Sequence, residues 1–333
     1  MIKLEDISLN YYSFGYSAKL IKNKDSNFNK ITLEQVSNIS RKYKLAGIEF
    51  PIDRFYGLSN LEEAKKYISH EISDHKRIFI DYENFDIEYI KSAISCLEST
   101  GLKYFRIKMN HLEKVFYGGN RYKVKNFNRY VENLKHQMKC LLPTLKDYDV
   151  CLLIENHQDL YSNELISLIE QISPKHFGIN WDIGNSFAVC DTPDSFFKNA
   201  KHLIKNIHLK DYKIVKSLNG VKLVRCPIGG GDVNFASLIK KYANDIKKID
   251  SFSFELGAQI SRHCDIFLDQ YWEPYKKMNI NRKQFVDYMY DISSNNNYVS
   301  DFENNISGIE LRQKELNDVQ TTVNNFKQIL NEK

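Results

Sequence analysis

The chain has 333 residues, 42% of them hydrophobic and 27% charged, the balance of an ordinary soluble globular protein large enough for one big α/β barrel or two smaller domains. Its 47 basic and 42 acidic residues give a net charge of +5 spread along the chain, too diffuse to announce a nucleic-acid partner. Residues 1–10 hold no apolar core of signal-peptide length, and no segment approaches the roughly 18 apolar residues of a membrane span, so a cytoplasmic protein without a membrane partner is expected.

Along the chain, Leu4 to Phe14 supplies a first strand, and Thr32 with Gln35 three residues on marks a helix start by capping-box spacing. Val36, Ile39 and Tyr43 then fall on one helix face. Gly47 to Pro51 is a short strand whose Glu49 is the first hint of a polar barrel interior. Arg77 to Asp81 reads as a strand, Ile87 to Leu97 as a helix, and Lys103 to Met109 as a strand with Arg106 and Lys108 on a common face. A helix over 130–142 is expected to end or kink at Pro143. The second half alternates more legibly: strand 150–157, helix 164–172, strand 177–182, helix 194–203, strand 204–209, helix 235–242, strand 251–256. Eight strands separated by helices predict a (β/α)8 TIM barrel over residues 1–290. An open doubly wound sheet is the alternative, but no GxGxxG turn lies near the amino terminus. Residues 291–333 read as a polar linker, Ser293 to Asn297, and an amphipathic C-terminal helical extension. Ile309, Leu316, Val323 and Leu330 recur every seven residues there, joined by Val319 and Phe326. This stripe packs either on its own barrel or on a neighbour, and a homo-oligomer using it is expected. The six cysteines, Cys96, Cys140, Cys151, Cys190, Cys226 and Cys264, show no paired spacing and read as reduced packing residues.

The chemistry gathers at strand ends. CLLIENH (151–157) is an apolar run that stops in a carboxylate, an amide and an imidazole; with period-two alternation Cys151, Leu153, Glu155 and His157 share one face. FGINWDIGN (177–185) closes on Asp182, NIHLKDY (206–212) carries His208, and SFSFELG (251–257) turns Ser253 and Glu255 inward. In a barrel, Glu155, Asp182, His208 and Glu255 converge at the carboxyl end, where such folds do their chemistry. Three carboxylates and one imidazole suit Mn2+ or Mg2+ and tolerate Co2+ or Zn2+. Singly, each has a duller explanation, such as a turn, a hydrogen-bonded histidine, or a Glu255 ion pair with Arg106 or Lys108. Four in register make that explanation harder to hold.

These motifs resemble the xylose isomerase-like TIM barrels, also called sugar phosphate isomerases/epimerases. The matching pieces are IENHQ (154–158), DIGN (182–185), HLKD (208–211), IGGGDVNF (228–235) and FELG (254–257), with GIEF (47–50) weaker, over roughly residues 1–275. The resemblance implies that Glu155, Asp182, His208 and Glu255 bind one divalent metal, often manganese, and that Glu155 and Glu255 double as the acid/base pair. ENHQDL (155–160), LVRCPIGGG (223–231) and ELGAQISRH (255–263), followed by Trp272, look closest to proteins resembling 3-oxo-isoapionate decarboxylase. Endonuclease IV shares the barrel but uses additional histidines; here Asn185 stands where one would follow Asp182, and no Asp-x-His pair follows His208.

The expected function is therefore a metal-dependent isomerase or epimerase of a small sugar, sugar phosphate or keto-sugar acid, working by proton transfer through a metal-held enediolate. The alternative is a metal-dependent carboxy-lyase of a β-keto sugar acid, and the third reading a barrel that binds sugar without turnover. Substrate contacts are expected from His157, Lys210, Arg225, Asn185 and Arg106. Arg225 is read in a loop after the seventh strand, where a carboxylate or phosphate would meet it. Asp211 is expected to face away, and Gly229 to Gly231 lack the Lys-Ser/Thr of a P-loop, so a backbone-permissive turn is the stronger reading.

Overall fold

The computed structural model describes residues 2–20, 28–74, 77–108, 118–124, 126–257, 261–301, 303–304 and 306–331. Eight parallel strands close a barrel: β1 (Ile7–Asn10), β2 (Gly47–Pro51), β3 (Arg77–Tyr82), β4 (Tyr104–Lys108), β5 (Cys151–Glu155), β6 (Phe177–Asp182), β7 (Ile204–Leu209) and β10 (Ser251–Phe254). Their order around the barrel is β1-β10-β7-β6-β5-β4-β3-β2, the predicted (β/α)8 arrangement and not an open sheet. The helices are α1 (Leu33–Lys42), α2 (Leu61–Asp74), α3 (Ile87–Leu97), α4 (Phe127–Asp147), α5 (Ser162–Ile172), α6 (Pro193–Ala200), α7 (Phe235–Lys241), α8 (Ala243–Ile246), α9 (Asp269–Trp272), α10 (Arg282–Ile292) and α11 (Gly308–Asn331). Among the described residues no helix is long and apolar enough to cross a membrane.

Alternation along the strands builds the interior. Ile78, Ile80, Phe105, Ile107, Leu152 and Ile154 join the main core, whereas Phe79, Cys151 and Leu153, with Tyr104 against them, form a separate apolar cluster. That cluster plugs the inside of the barrel. Two residues further on, the same inward face carries Asp81, Arg106 and Glu155, all buried. One step of the pleat thus turns an apolar plug into an ionic floor.

Several local expectations hold and others need correction. Thr32 and Gln35 make both bonds of the capping box, with Gln35 N donating to Thr32 Oγ1 at 3.1 Å and Thr32 N to Gln35 Oε1 at 2.9 Å. The first strand is shorter than 4–14, because 3-10 turns at Leu4–Asp6 and Tyr11–Phe14 flank it. Helix α2 has no counterpart among the predicted elements, and Met109, the expected end of β4, lies outside the described residues. Pro143 does not end α4, which runs on to Asp147. A proline inside a helix forgoes one backbone hydrogen bond, but Leu141 and Leu145 are fully buried on either side of it and hold the chain helical.

The region after β7 is the largest departure. Instead of a loop, β8 (Asp211–Ser217) and β9 (Gly220–Cys226) form an antiparallel hairpin, extended by β11 (Arg262–Cys264) into a three-stranded sheet. Arg225 therefore stands on a strand. Asp211 accepts from the backbone N–H groups of Gly229 (2.9 Å), Gly231 (3.0 Å), Val233 (3.2 Å) and Tyr212 (2.9 Å), so the glycine run is a turn wrapped round a carboxylate. Gly229 has φ +77°, which favours glycine there.

Helix α11 docks on its own barrel. Val319, Val323 and Phe326 are buried, and the Phe326 ring lies 5.4 Å from that of Phe254 and 6.3 Å from that of Phe235. Glu315 accepts from Tyr16 N at 2.6 Å and from Ser17 N at 3.0 Å. The predicted stripe divides: Leu330 is half-buried, while Ile309 is 83% and Leu316 40% exposed. All six cysteines are free thiols.

Candidate active site and metal centre

Glu155 ends β5, Asp182 ends β6, His208 lies on β7 and Glu255 follows β10 directly. Asp182 pairs with His208, and His208 with Ser253, in the parallel register of their strands, so these side chains leave neighbouring strands on one side. One ligand atom from each of the four lies within 4.8 Å of all the others, and all four residues are buried. Sequence reasoning named these four residues, and the fold brings them together.

A ring of donors positions them. Asn185 Nδ2 donates to Asp182 Oδ2 at 2.8 Å and to Glu155 Oε1 at 3.4 Å, while its Oδ1 accepts from Gln158 Nε2 at 2.9 Å. Asn156 clasps the backbone of Asp182, accepting from its N–H at 2.6 Å and donating to its carbonyl at 3.0 Å. Lys210 Nζ pairs with Asp182 and, at 2.7 Å, with Glu255. Arg225 donates to Gly257 O at 2.8 Å and stands 3.8 Å from Glu255. Of the expected substrate contacts, Asn185, Lys210 and Arg225 thus border the ligand set. His157 follows two residues after Glu155, and its enclosed position lowers its pKa to about 3, against the pull of Glu155, so the imidazole is neutral.

Arg106 sits differently from the expectation. Its guanidinium is 1% exposed and is shared among Glu49 (3.0 Å), Asp81 (2.9 Å) and Glu155. Every arm already meets a carboxylate, so Arg106 is a hub under the site and has no arm left for a substrate. Glu255 pairs with Lys210 and His208 instead of Arg106 or Lys108.

Glu49 and Asp81 were not among the sequence candidates. Glu49 Oε1 accepts from Arg106 Nε, and the same carboxylate lies 2.9 and 3.1 Å from His208 Nε2. This carboxylate fixes the imidazole from behind, in the way that orients metal-ligating histidines. His208 Nδ1 is then turned into the cluster, 2.8 Å from Glu255 Oε2 but without an aligned hydrogen bond. The signal for Glu49 and Asp81 was a lone carboxylate in each of two otherwise apolar strands, IEFP and IFID.

The charges are strongly coupled. Burial would raise Glu155, but Arg106 outweighs it and holds the carboxyl at about 2. Burial likewise works against Glu255, yet Lys210 and His208 hold it well below the usual carboxylate range. Burial pushes Asp182 up to about 6 against Lys210. Burial also opposes a charge on His208, but Glu49 and Glu255 carry its pKa up to about 10. Three carboxylates and a buried Nδ1 with no aligned bond could hold a divalent cation.

Residues 80–254, more than half of the chain, match the family model for xylose isomerase-like TIM barrels. Over 171 residues, 47% of this chain and 52% of the relative, the protein is 25% identical to the uncharacterized protein YihM of Escherichia coli K12. Over 103 residues, 30% of this chain and 38% of the relative, it is 22% identical to 3-oxo-isoapionate decarboxylase of Pectobacterium atrosepticum. The chain spans about half or less of the length of these relatives. The structure of 3-keto-D-glucoside 4-epimerase from E. coli superposes with a TM-score of 0.52 at 12% identity, covering 86% of this chain and 99% of that one. By its matched residues and its closed eight-stranded barrel, this chain belongs to the xylose isomerase-like TIM barrel family.

Proposed function

We propose that the protein is a divalent-metal-dependent isomerase or epimerase of a small sugar, sugar phosphate or keto-sugar acid. The observation that carries this is the placement of two buried glutamates, Glu155 and Glu255, in one four-residue ligand set with Asp182 and His208. Those four residues would hold Mn2+ or Mg2+, which when bound polarises a substrate carbonyl and acidifies the adjacent C–H. Glu155 and Glu255 are both held as carboxylates, the form that accepts a proton. Because each is a weak base, either takes a proton only from a carbon already acidified and gives it back readily. One glutamate removes the proton, and the other, after taking up a proton from solvent, delivers that proton to the opposite face or the neighbouring carbon while the first releases its own to solvent. Lys210, beside Asp182 and Glu255, and Arg225, beside Glu255, steady the oxygens on which negative charge develops. Asn185 and Asn156 keep the carboxylates in place.

A second reading is supported by the stretch shared with 3-oxo-isoapionate decarboxylase: a β-keto sugar acid losing CO2 at the same centre. Incubating the Mn2+-loaded protein with a panel of ketoses, their phosphates and keto-sugar acids in 2H2O separates the two. Deuterium incorporation at a carbon next to the carbonyl, without CO2, supports the isomerase or epimerase; CO2 release supports the lyase. Binding without either would leave a sugar-binding barrel. We also propose a homo-oligomer through the exposed Ile309 and Leu316, which Ile309→Lys with Leu316→Lys would dissociate as measured by light scattering.

A further inference from the structure

One wall of the barrel mouth is not engaged by the ligand set. β4 ends in Lys108, in register with Glu155 of β5, so both side chains leave the sheet on the same side. Arg106, Lys210 and Arg225 each face a carboxylate, but among the described residues Lys108 has no ion-pair partner. Its ammonium lies 4.7 Å from the centre of the Tyr12 ring, and the Arg106 guanidinium 5.6 Å from the same ring. Tyr12 is only 8% exposed, yet among the described residues its hydroxyl has no hydrogen-bond partner. Among the described residues, an ammonium that makes no ion pair and a buried hydroxyl that makes no hydrogen bond therefore stand together, and one acceptor would satisfy both.

We propose that Lys108 and the Tyr12 hydroxyl form an anion subsite that selects substrates bearing a carboxylate or phosphate over neutral sugars. This rests on the reading of the neighbouring cluster as a cation-dependent sugar centre. The subsite gives a sugar acid or a sugar phosphate a charge-assisted hydrogen bond from Lys108 and a second from Tyr12. A neutral ketose offers only a hydroxyl there and leaves the ammonium uncompensated.

D-Gluconate, D-fructose 6-phosphate and D-fructose serve as probes, titrated calorimetrically into the Mn2+-loaded and the chelated protein. The wild type should bind at least one anionic probe about tenfold more tightly than fructose, and the anion preferred assigns the subsite to carboxylate or phosphate. Lys108→Met should erase that preference while leaving fructose affinity within about twofold; Lys108→Arg should keep it, and Tyr12→Phe should weaken it about threefold. A wild type without the preference overturns the proposal, as does a Lys108→Met protein that retains it. Should Lys108→Met fail to fold, an undiminished preference in Tyr12→Phe overturns the proposal and a diminished one supports it. Mn2+ uptake and solvent exchange are measured in parallel. A protein that takes up Mn2+ and exchanges label into neutral ketoses with no Lys108-dependent preference refutes the subsite alone; one that keeps the preference but takes up no Mn2+ refutes the metal reading alone.

Discussion

Strands β5, β6, β7 and β10 present Glu155, Asp182, His208 and Glu255 toward one point, whereas β2, β3 and β4 on the other side of the barrel contribute Glu49, Asp81 and Arg106. The charges of the second group are directed mainly at one another: one guanidinium gathers two of its own side's carboxylates and reaches across to Glu155. The first group keeps a buried Nδ1 with no aligned bond and two carboxylates, Asp182 and Glu255, that share one lysine. The two halves of the barrel divide the work. One half offers ligand atoms, and the other fixes their direction and charge.

Substitutions that spare shape but remove charge test that division. The largest effect is expected from Glu155→Gln and Glu255→Gln, each lowering turnover about 10²–10⁴-fold with a smaller loss of substrate binding. Metal content is measured alongside, and near wild-type turnover with metal retained would break the two-glutamate account. Arg106→Met leaves Asp81 and Glu155 without their ion pair in the interior, Glu49 keeping His208, and should cost about 3–5 kcal/mol of stability in denaturant unfolding. A loss below about 1 kcal/mol would show that the hub is dispensable. Glu49→Gln keeps an acceptor behind His208 but removes the charge, so metal affinity should fall about 10–100-fold by calorimetry with little change in unfolding. If unfolding changes and metal affinity does not, Glu49 belongs to the scaffold and not to the site.

A further test concerns pH in the chelated protein. His208 is raised from 6.5 to about 10, so over that interval the folded chain binds a proton that the unfolded chain lacks. Its contribution is complete below pH 6.5 and is lost as pH rises through about 10. Tm of the chelated protein should therefore decline across this window, while metal uptake, which displaces that proton, should tighten. His208→Asn should flatten the decline; an identical profile in this variant would locate the titration elsewhere.

Much of this was legible in the sequence because short parallel strands buried on both faces leave few places for charge. An apolar run ending in Glu155, Asp182 or Glu255 says where the barrel interior becomes polar, and the alternation says which side each group takes. The partners were harder to see. Arg106 was read as a substrate contact because its neighbours Glu49 and Asp81 come from strands 57 and 25 residues away, and only barrel closure brings them together. The hairpin carrying Arg225 was missed for a similar reason. β9 is completed by β8 on one edge and by β11, some 40 residues downstream, on the other, and no local pattern encodes that second pairing. In the C-terminal helix the seven-residue repeat marked the apolar positions, but the surface of the barrel chose Val319, Val323 and Phe326 and left Ile309 outside. The segment 258–260 of the ELGAQISRH motif lies outside the described residues.

Anomalous diffraction from a crystal grown with Mn2+ decides whether the four strand ends build one cation site. A single strong peak is expected about 2.0–2.3 Å from Glu155, Asp182, Glu255 and His208 Nδ1, with Glu49 still on His208 Nε2. A crystal saturated with Mn2+ that shows no peak there, with Lys210 still bridging Asp182 and Glu255, would contradict it.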